Sequence, residues 1–148
     1  MKRKEFIWLL AILVIIYTID KGLKKVTTNE YFLSKLNKST SDIFRLFIKH
    51  IERLGYKVII TSSYRTSKEQ AALKKQDARN AAAGSSSHEQ GTAIDFVLQK
   101  NGRMINKNSS ASLWNNTGVP QLANRYGISW GGNFPNYFDP VHFYIVYK

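Results

Sequence analysis

The chain has no cysteine, only three prolines and only three histidines among its 148 residues. Without cysteine there can be no disulfide and no thiolate metal site, so any metal must be held by His, Asp or Glu. Acidic residues are also scarce. Ten Asp and Glu face twenty-two Lys and Arg, a formal charge of +12. That excess asks for an anionic partner, and nucleic acid, anionic lipid and an acidic cell-wall polymer all qualify. From Val26 onward sixteen basic residues stand against eight acidic ones, so the charge there is near +8. These basic residues, among them Lys35, Arg45, Lys57 and Arg79, are scattered and not gathered into a run with aromatics. That scatter argues against nucleic acid as the partner, and attraction to a polyanionic wall or plain solubility fits better. The length suits one domain, with about two dozen residues spent on something else.

Long apolar runs are missing too, with one exception. Met1-Lys-Arg-Lys4 precedes fourteen residues, 6–19, that carry no charge. A basic flank before an apolar run is the pattern of an export signal. At ~1.5 Å per residue the run is short for a bilayer of about 30 Å. Tyr17-Thr-Ile-Asp-Lys-Gly22 offers no small-x-small cleavage site. The reading is an uncleaved N-terminal hydrophobic helix, residues 1–25, anchoring the chain in the cytoplasmic membrane by a single span. The early Lys/Arg cluster places the remainder outside, in the periplasm or at the cell surface. A buried core helix is the alternative. Residues 26–39 read as linker and lead-in, and 40–148 as the working domain.

Within that domain, Ser41-Asp42 before Ile43 reads as a helix start, and Ile43, Phe47, Ile51 and Leu54 recur at near-helical spacing up to Gly55. A β-branched strand follows from Tyr56. Thr66 with Glu69 makes a capping box opening a second helix through Gln76. Residues 81–87, rich in Ala, Gly and Ser, form a flexible lead-in able to fold over a cleft. A strand over 93–98 turns at Asn101-Gly102 into a partner strand. A short helix begins at Pro120, and two last strands, 128–130 and 141–147, flank a loop over 131–140. Early helices and late, mostly antiparallel strands predict an α+β fold with one small antiparallel sheet and helices packed on one side.

Chemistry is carried by three separated pieces: Tyr64-Arg65, His88-Glu-Gln-Gly-Thr-Ala-Ile-Asp95 and Asp139-Pro-Val-His142. Asp95 stands between Ile94 and Phe96, and His142 between Val141 and Phe143. A carboxylate so placed is costly to bury unless it is paired or metal-bound. Together with His88 they make a His2Asp set, which leaves zinc's fourth tetrahedral position open, the catalytic arrangement. Asp139, three residues before His142, reads as the base; binding the metal or orienting His142 are its alternatives. Arg65 follows a strand end and can hold a carboxylate or an oxyanion, or else pair with Glu69 at the surface. His50 falls on the polar side of the first helix and reads as solvated or partly packed. Trp114, Asn115 and Asn116 read as a polar loop near the cleft. Phe134, Tyr137 and Phe138 read as packing for their loop, with a wall-facing role left open. The serines at 85–87 are no nucleophile set, since no histidine–acid pair is left to activate one.

Ser62-Ser-Tyr-Arg-Thr-Ser-Lys-Glu-Gln70, Ser86-Ser-His-Glu-Gln-Gly-Thr-Ala-Ile-Asp95 and Trp130-Gly-Gly with Asp139-Pro-Val-His-Phe143 resemble the D-alanyl-D-alanine carboxypeptidase family of zinc peptidases. That family includes vancomycin-resistance dipeptidases and the L-alanyl-D-glutamate endolysins of phages. The resemblance spans roughly residues 40 to 147. It implies a hedgehog/DD-peptidase-like fold, Zn2+ on His88, Asp95 and His142, Asp139 as acid/base and Arg65 as the transition-state cation. It sets Ser63, Gln70, Ser86 and Trp130 near the substrate. The implied substrate is a peptidoglycan stem peptide, cut at L-Ala-D-Glu or at D-Ala-D-Ala. Asp rather than Glu at position 139 leans toward the first. A zinc-containing module that binds the wall without hydrolysis is the rival reading, and intact Asp139 and Arg65 speak against it.

Overall fold

Residues 28–147 are described by a computed structural model of the chain. The N-terminal apolar run, read above as an anchor, lies outside the described residues. Among those residues no helix is long and apolar enough to cross a membrane.

The order is α1 (Thr28–Leu33), α2 (Lys38–Arg53), β1 (Lys57–Ser62), α3 (Ser67–Gln76), β2 (Ala93–Lys100), β3 (Arg103–Ile105), α4 (Ala111–Asn116), α5 (Val119–Arg125), β4 (Ser129–Trp130), a 3-10 turn (Gly131–Asn133) and β5 (His142–Tyr144). The sheet runs β1-β2-β5-β4, with β3 pairing β2, and every pairing is antiparallel. This is the α+β arrangement expected.

Strand alternation decides what each face does. Ile94, Phe96 and Leu98 of β2, with Phe143 of β5, are fully buried, and Phe96 stacks on Phe143 at 4.4 Å. The stripe Phe44, Phe47, Ile48 and Ile51 of α2 covers that face, with Phe47 5.8 Å from Phe143. Asp95 and His142 are partners in register across β2 and β5. Alternation places both on the face away from α2, where the sheet is free to carry polar groups.

Helix α2 begins at Lys38, earlier than the Ser41-Asp42 expectation. Ser41 is buried and its hydroxyl bonds Leu33 O at 2.8 Å, so it serves tertiary packing and not a cap. Asn37 holds the N-cap position, yet its amide donates to Gln90 O at 2.8 Å. The segment expected as lead-in contributes to the core from Thr28 on: Leu33 and Leu36 are buried, and Asn29 bonds both Val58 O and Ile60 N.

The capping box at Thr66 and Glu69 forms as expected. So does the hairpin turn, with Asn101 and Gly102 both at positive φ (50° and 75°), the geometry of a type I′ turn. Trp114 overturns its expected loop. It sits in α4 with no exposed surface, 6.0 Å from Phe143 and 6.2 Å from Phe96, and its indole N–H donates to Asn106 O. It is core and does not edge the cleft.

Candidate metal centre

Sheet register brings Asp95 and His142 together, and a turn adds His88. Gly91, at φ +66°, reverses the chain between His88 and β2, a conformation that L side chains rarely adopt. Asn37 lies 3.2 Å from where a Cβ at Gly91 would stand, a second reason for glycine there.

Three lone-pair atoms then converge. Asp95 Oδ1 lies 2.8 Å from His142 Nδ1 and 3.1 Å from His88 Nε2, and the two nitrogens are 3.2 Å apart. The remaining ring nitrogen of His88 fixes its tautomer. His88 Nδ1 is 2.6 Å from the carbonyl of Ser63, which can only accept, so His88 keeps its proton there and presents a bare Nε2. His142 Nε2 is 3.2 Å from Ser87 Oγ, which leaves Nδ1 to face inward. With His142 Nε2–H donating to the Ser87 hydroxyl, the site presents two bare nitrogens and a carboxylate oxygen, which at such spacing repel unless a proton or a metal cation sits among them. A tetrahedron with arms of ~2.0–2.1 Å has edges of about 3.3 Å, so the donor set fits zinc. Among the described residues this is the cluster of His, Asp and Glu able to hold a metal ion.

Burial by itself would raise the pKa of Asp95. In the absence of a metal, protons on the inward nitrogens of His142 and His88 bond the carboxylate, and those bonds and their charge outweigh burial and hold the carboxyl well below the usual range. For Asp139, burial dominates and the charge of Asp95 adds to it, so its carboxyl is pushed up. Asp139 lines the same cleft of about 540 Å³ as Arg65, His88, Asp95 and His142. Its backbone is pinned: N–H to Gly131 O at 3.2 Å, and carbonyl to His142 N at 3.3 Å. A Cβ on Gly131 would stand 2.6 Å from that carbonyl, so glycine at 131 lets the Asp139 loop close against the sheet.

Arg65 turns inward and does not pair with Glu69. A bulge at Thr61 shifts the register between Ile60 and Ser62 and directs the end of β1 to the site. The guanidinium donates from Nη2 to Asp95 Oδ2 at 2.9 Å, from Nη1 to Gln70 Oε1 at 3.0 Å and from Nε to Ser62 Oγ at 3.1 Å. Three of its five N–H donors are used in this way, leaving one on each terminal nitrogen.

Gln70 is buried in the cleft wall, where it accepts from Arg65 and donates to Ala81 O at 2.8 Å. Ser63 contributes its carbonyl, while its buried hydroxyl has no partner among the described residues. Ser86 lines the cleft, and its hydroxyl accepts from the backbone N–H of His88 at 3.3 Å. Trp130 stands outside the cleft lining; its indole donates to Pro140 O at 2.8 Å and so holds the Asp139 loop. His50 packs on Tyr126, as a partly packed residue would.

Five contributors had no sequence signal. Ser87 fixes the inward nitrogen of His142, one place from a motif serine. Glu89 accepts N–H groups of Gly84 and Ser86, which shapes the loop before His88. Phe134, Tyr137 and Tyr144 wall the cleft, with Tyr144 stacked on His142 at 5.3 Å. Their sequence positions show only aromatic loop and strand residues. Ser87→Ala should weaken metal binding about 10–100-fold, the usual effect of losing a group that orients a ligand. Chelator competition on the purified variant measures this, and unchanged affinity would remove Ser87 from the role.

A family profile described as D-alanyl-D-alanine carboxypeptidase matches residues 79–145, the stretch holding His88, Asp95, Asp139 and His142. The peptidoglycan L-alanyl-D-glutamate endopeptidase CwlK of Bacillus subtilis is 34% identical over 107 residues. That match covers 62% of this chain and 62% of the relative, less than two thirds of the relative's length. The fold is similar to that of the Serratia marcescens L-Ala D-Glu endopeptidase ChiX, with a TM-score of 0.62 and 18% identity over 82% of this chain and 88% of that one. It is also similar to that of the vancomycin-resistance D,D-pentapeptidase VanY in complex with Zn(II), with a TM-score of 0.53 and 16% identity over 76% and 73% of the two chains. Residues 79–145 thus match the D-alanyl-D-alanine carboxypeptidase family, and the chain is similar in sequence to CwlK and in fold to ChiX and VanY.

Proposed function

We propose that the chain is a zinc-dependent endopeptidase that hydrolyses the L-Ala-D-Glu bond of peptidoglycan stem peptides. The observation that carries the reading is the convergence of His88 Nε2, His142 Nδ1 and Asp95 Oδ1, all within 3.2 Å, at the floor of an open cleft. Zinc held there would supply a Lewis acid that polarises the scissile carbonyl and acidifies a nearby water. Asp139 takes the proton of the attacking water and passes it to the departing amine, a role that its raised pKa suits. Arg65 holds Asp95 in place and offers its two remaining N–H donors to the carbonyl oxygen as negative charge builds there. Phe134, Tyr137 and Tyr144 on one wall and the polar 85–87 segment on the other orient the peptide.

Asp at position 139 and the similarity to CwlK support L-Ala-D-Glu over D-Ala-D-Ala as the bond cut. The basic flank and apolar run of residues 1–19 support action outside the cytoplasmic membrane, tethered by the N-terminus. The net positive charge suits retention on an anionic wall polymer. Digesting muropeptides with the zinc-loaded chain and weighing the products by mass spectrometry tests the reading. Release of stem peptides beginning at D-Glu is expected. Loss of a single terminal D-Ala would move the cut to D-Ala-D-Ala, and intact muropeptides that nonetheless bind the chain would favour a wall-binding module.

A further inference from the structure

A second pocket of about 400 Å³ lies behind the aromatic wall of the cleft, and Phe134 and Tyr144 line both. Its size falls in the ~300–1,000 Å³ range of small-molecule sites. Trp130 and Pro135 add apolar surface, and Asn124 and Asn133 stand exposed at the edge. Neither asparagine side chain bonds to another described residue. No Asp, Glu, Lys, Arg or His lines this pocket among the described residues. It is suited to an uncharged ligand with an apolar face and amide-like groups.

We propose that this pocket binds the N-acetylated sugar that bears the stem peptide. The sugar's identity rests on the reading of the cleft given above. A carboxamide side chain offers one acceptor and an NH2 donor, and an acetamido group offers the complementary N–H and C=O. Apolar sugar faces pack on aromatic rings such as those of the shared wall. Reach is the second argument. Phe134 and Tyr144 lie 5.8 and 5.3 Å from the imidazole of His142. In a stem peptide the L-Ala nitrogen is joined through a lactyl group to the muramyl sugar, so cutting after L-Ala leaves one residue plus that link between bond and sugar. At ~3.3–3.6 Å per extended residue the sugar then arrives just beyond the shared wall. Were the cut at D-Ala-D-Ala, four residues would intervene, and the sugar would lie well past the pocket. The lactyl carboxyl is consumed in the amide, so the sugar side is neutral, as the lining requires.

The test compares the zinc-loaded full chain on a tripeptide beginning L-Ala-D-Glu and on the same tripeptide carrying N-acetylmuramic acid at its L-Ala. Two hydrogen bonds and ring packing should favour the sugar-bearing substrate about tenfold in kcat/KM. The Asn124→Ala/Asn133→Ala double variant should lose that preference while cutting the bare tripeptide as before. Equal cleavage of both substrates by the unaltered chain, or an equal loss on both in the variant, overturns the sugar site and leaves the peptidase reading standing. A parallel titration with N-acetylmuramoyl-L-alanine, followed by the NMR indole signal of Trp130, decides the matter even if neither substrate is cut. A shift in the unaltered chain that is absent in the double variant supports the site, and no shift in either overturns it.

Discussion

Asp139→Ala is expected to retain its metal and to lose about 10²–10⁴ in turnover, the range associated with a positioned acid–base group. Three features of the structure lead there. The carboxyl lies in the cleft with the proposed ligands, its backbone is locked to Gly131 and His142, and burial raises its affinity for a proton. It is not among the three converging donors. Metal content and turnover should therefore separate in this variant. Metal content is read by elemental analysis and turnover by release of amino groups from muropeptide. Loss of metal together with activity would make Asp139 a ligand, and robust hydrolysis would remove it as the base.

Arg65→Ala is expected to lose about 10²–10³ in turnover, as when an oxyanion donor is removed. A second effect follows from the bond between Arg65 Nη2 and Asp95 Oδ2. Deleting the guanidinium frees that carboxylate to rotate, so metal affinity should also fall, by about 10–100-fold. Arg65→Lys keeps a positive charge but not the fork that serves Asp95, Gln70 and Ser62 together, so affinity should recover only in part. Unaltered metal affinity in Arg65→Ala would mean that Asp95 is held without Arg65. Turnover unaltered at saturating zinc would remove the oxyanion role.

Much of this site was legible because its chemistry is confined to residue types that are expensive elsewhere. Asp95 between Ile94 and Phe96, and His142 between Val141 and Phe143, place ionisable groups in strands that otherwise build core. Alternation then turns them to the opposite face, in register with each other. Thr66 with Glu69 and Asn101 with Gly102 were legible because each is a local device, complete within four residues. The start of α2 was not. Ser41 looks like a cap in sequence, but its hydroxyl is taken by Leu33 eight residues away. Trp114 amid Asn and Ser reads as loop, and only Phe96 and Phe143 from distant strands make it core. Ser87, Gln70 and Trp130 share this character. Each acts by holding a partner outside its own element, His142, Arg65 and Pro140 respectively, and no local periodicity or capping pattern encodes such a contact.

The proposed function depends on a divalent ion shared by His88, Asp95 and His142. Zinc bound by metal-free full chain at equilibrium dialysis, alongside His88→Ala, Asp95→Ala and His142→Ala, tests this most directly. The expected result is a single zinc on the unaltered chain and none retained by any of the three variants. An unaltered chain that binds no zinc, or variants that bind it undiminished, would contradict the account.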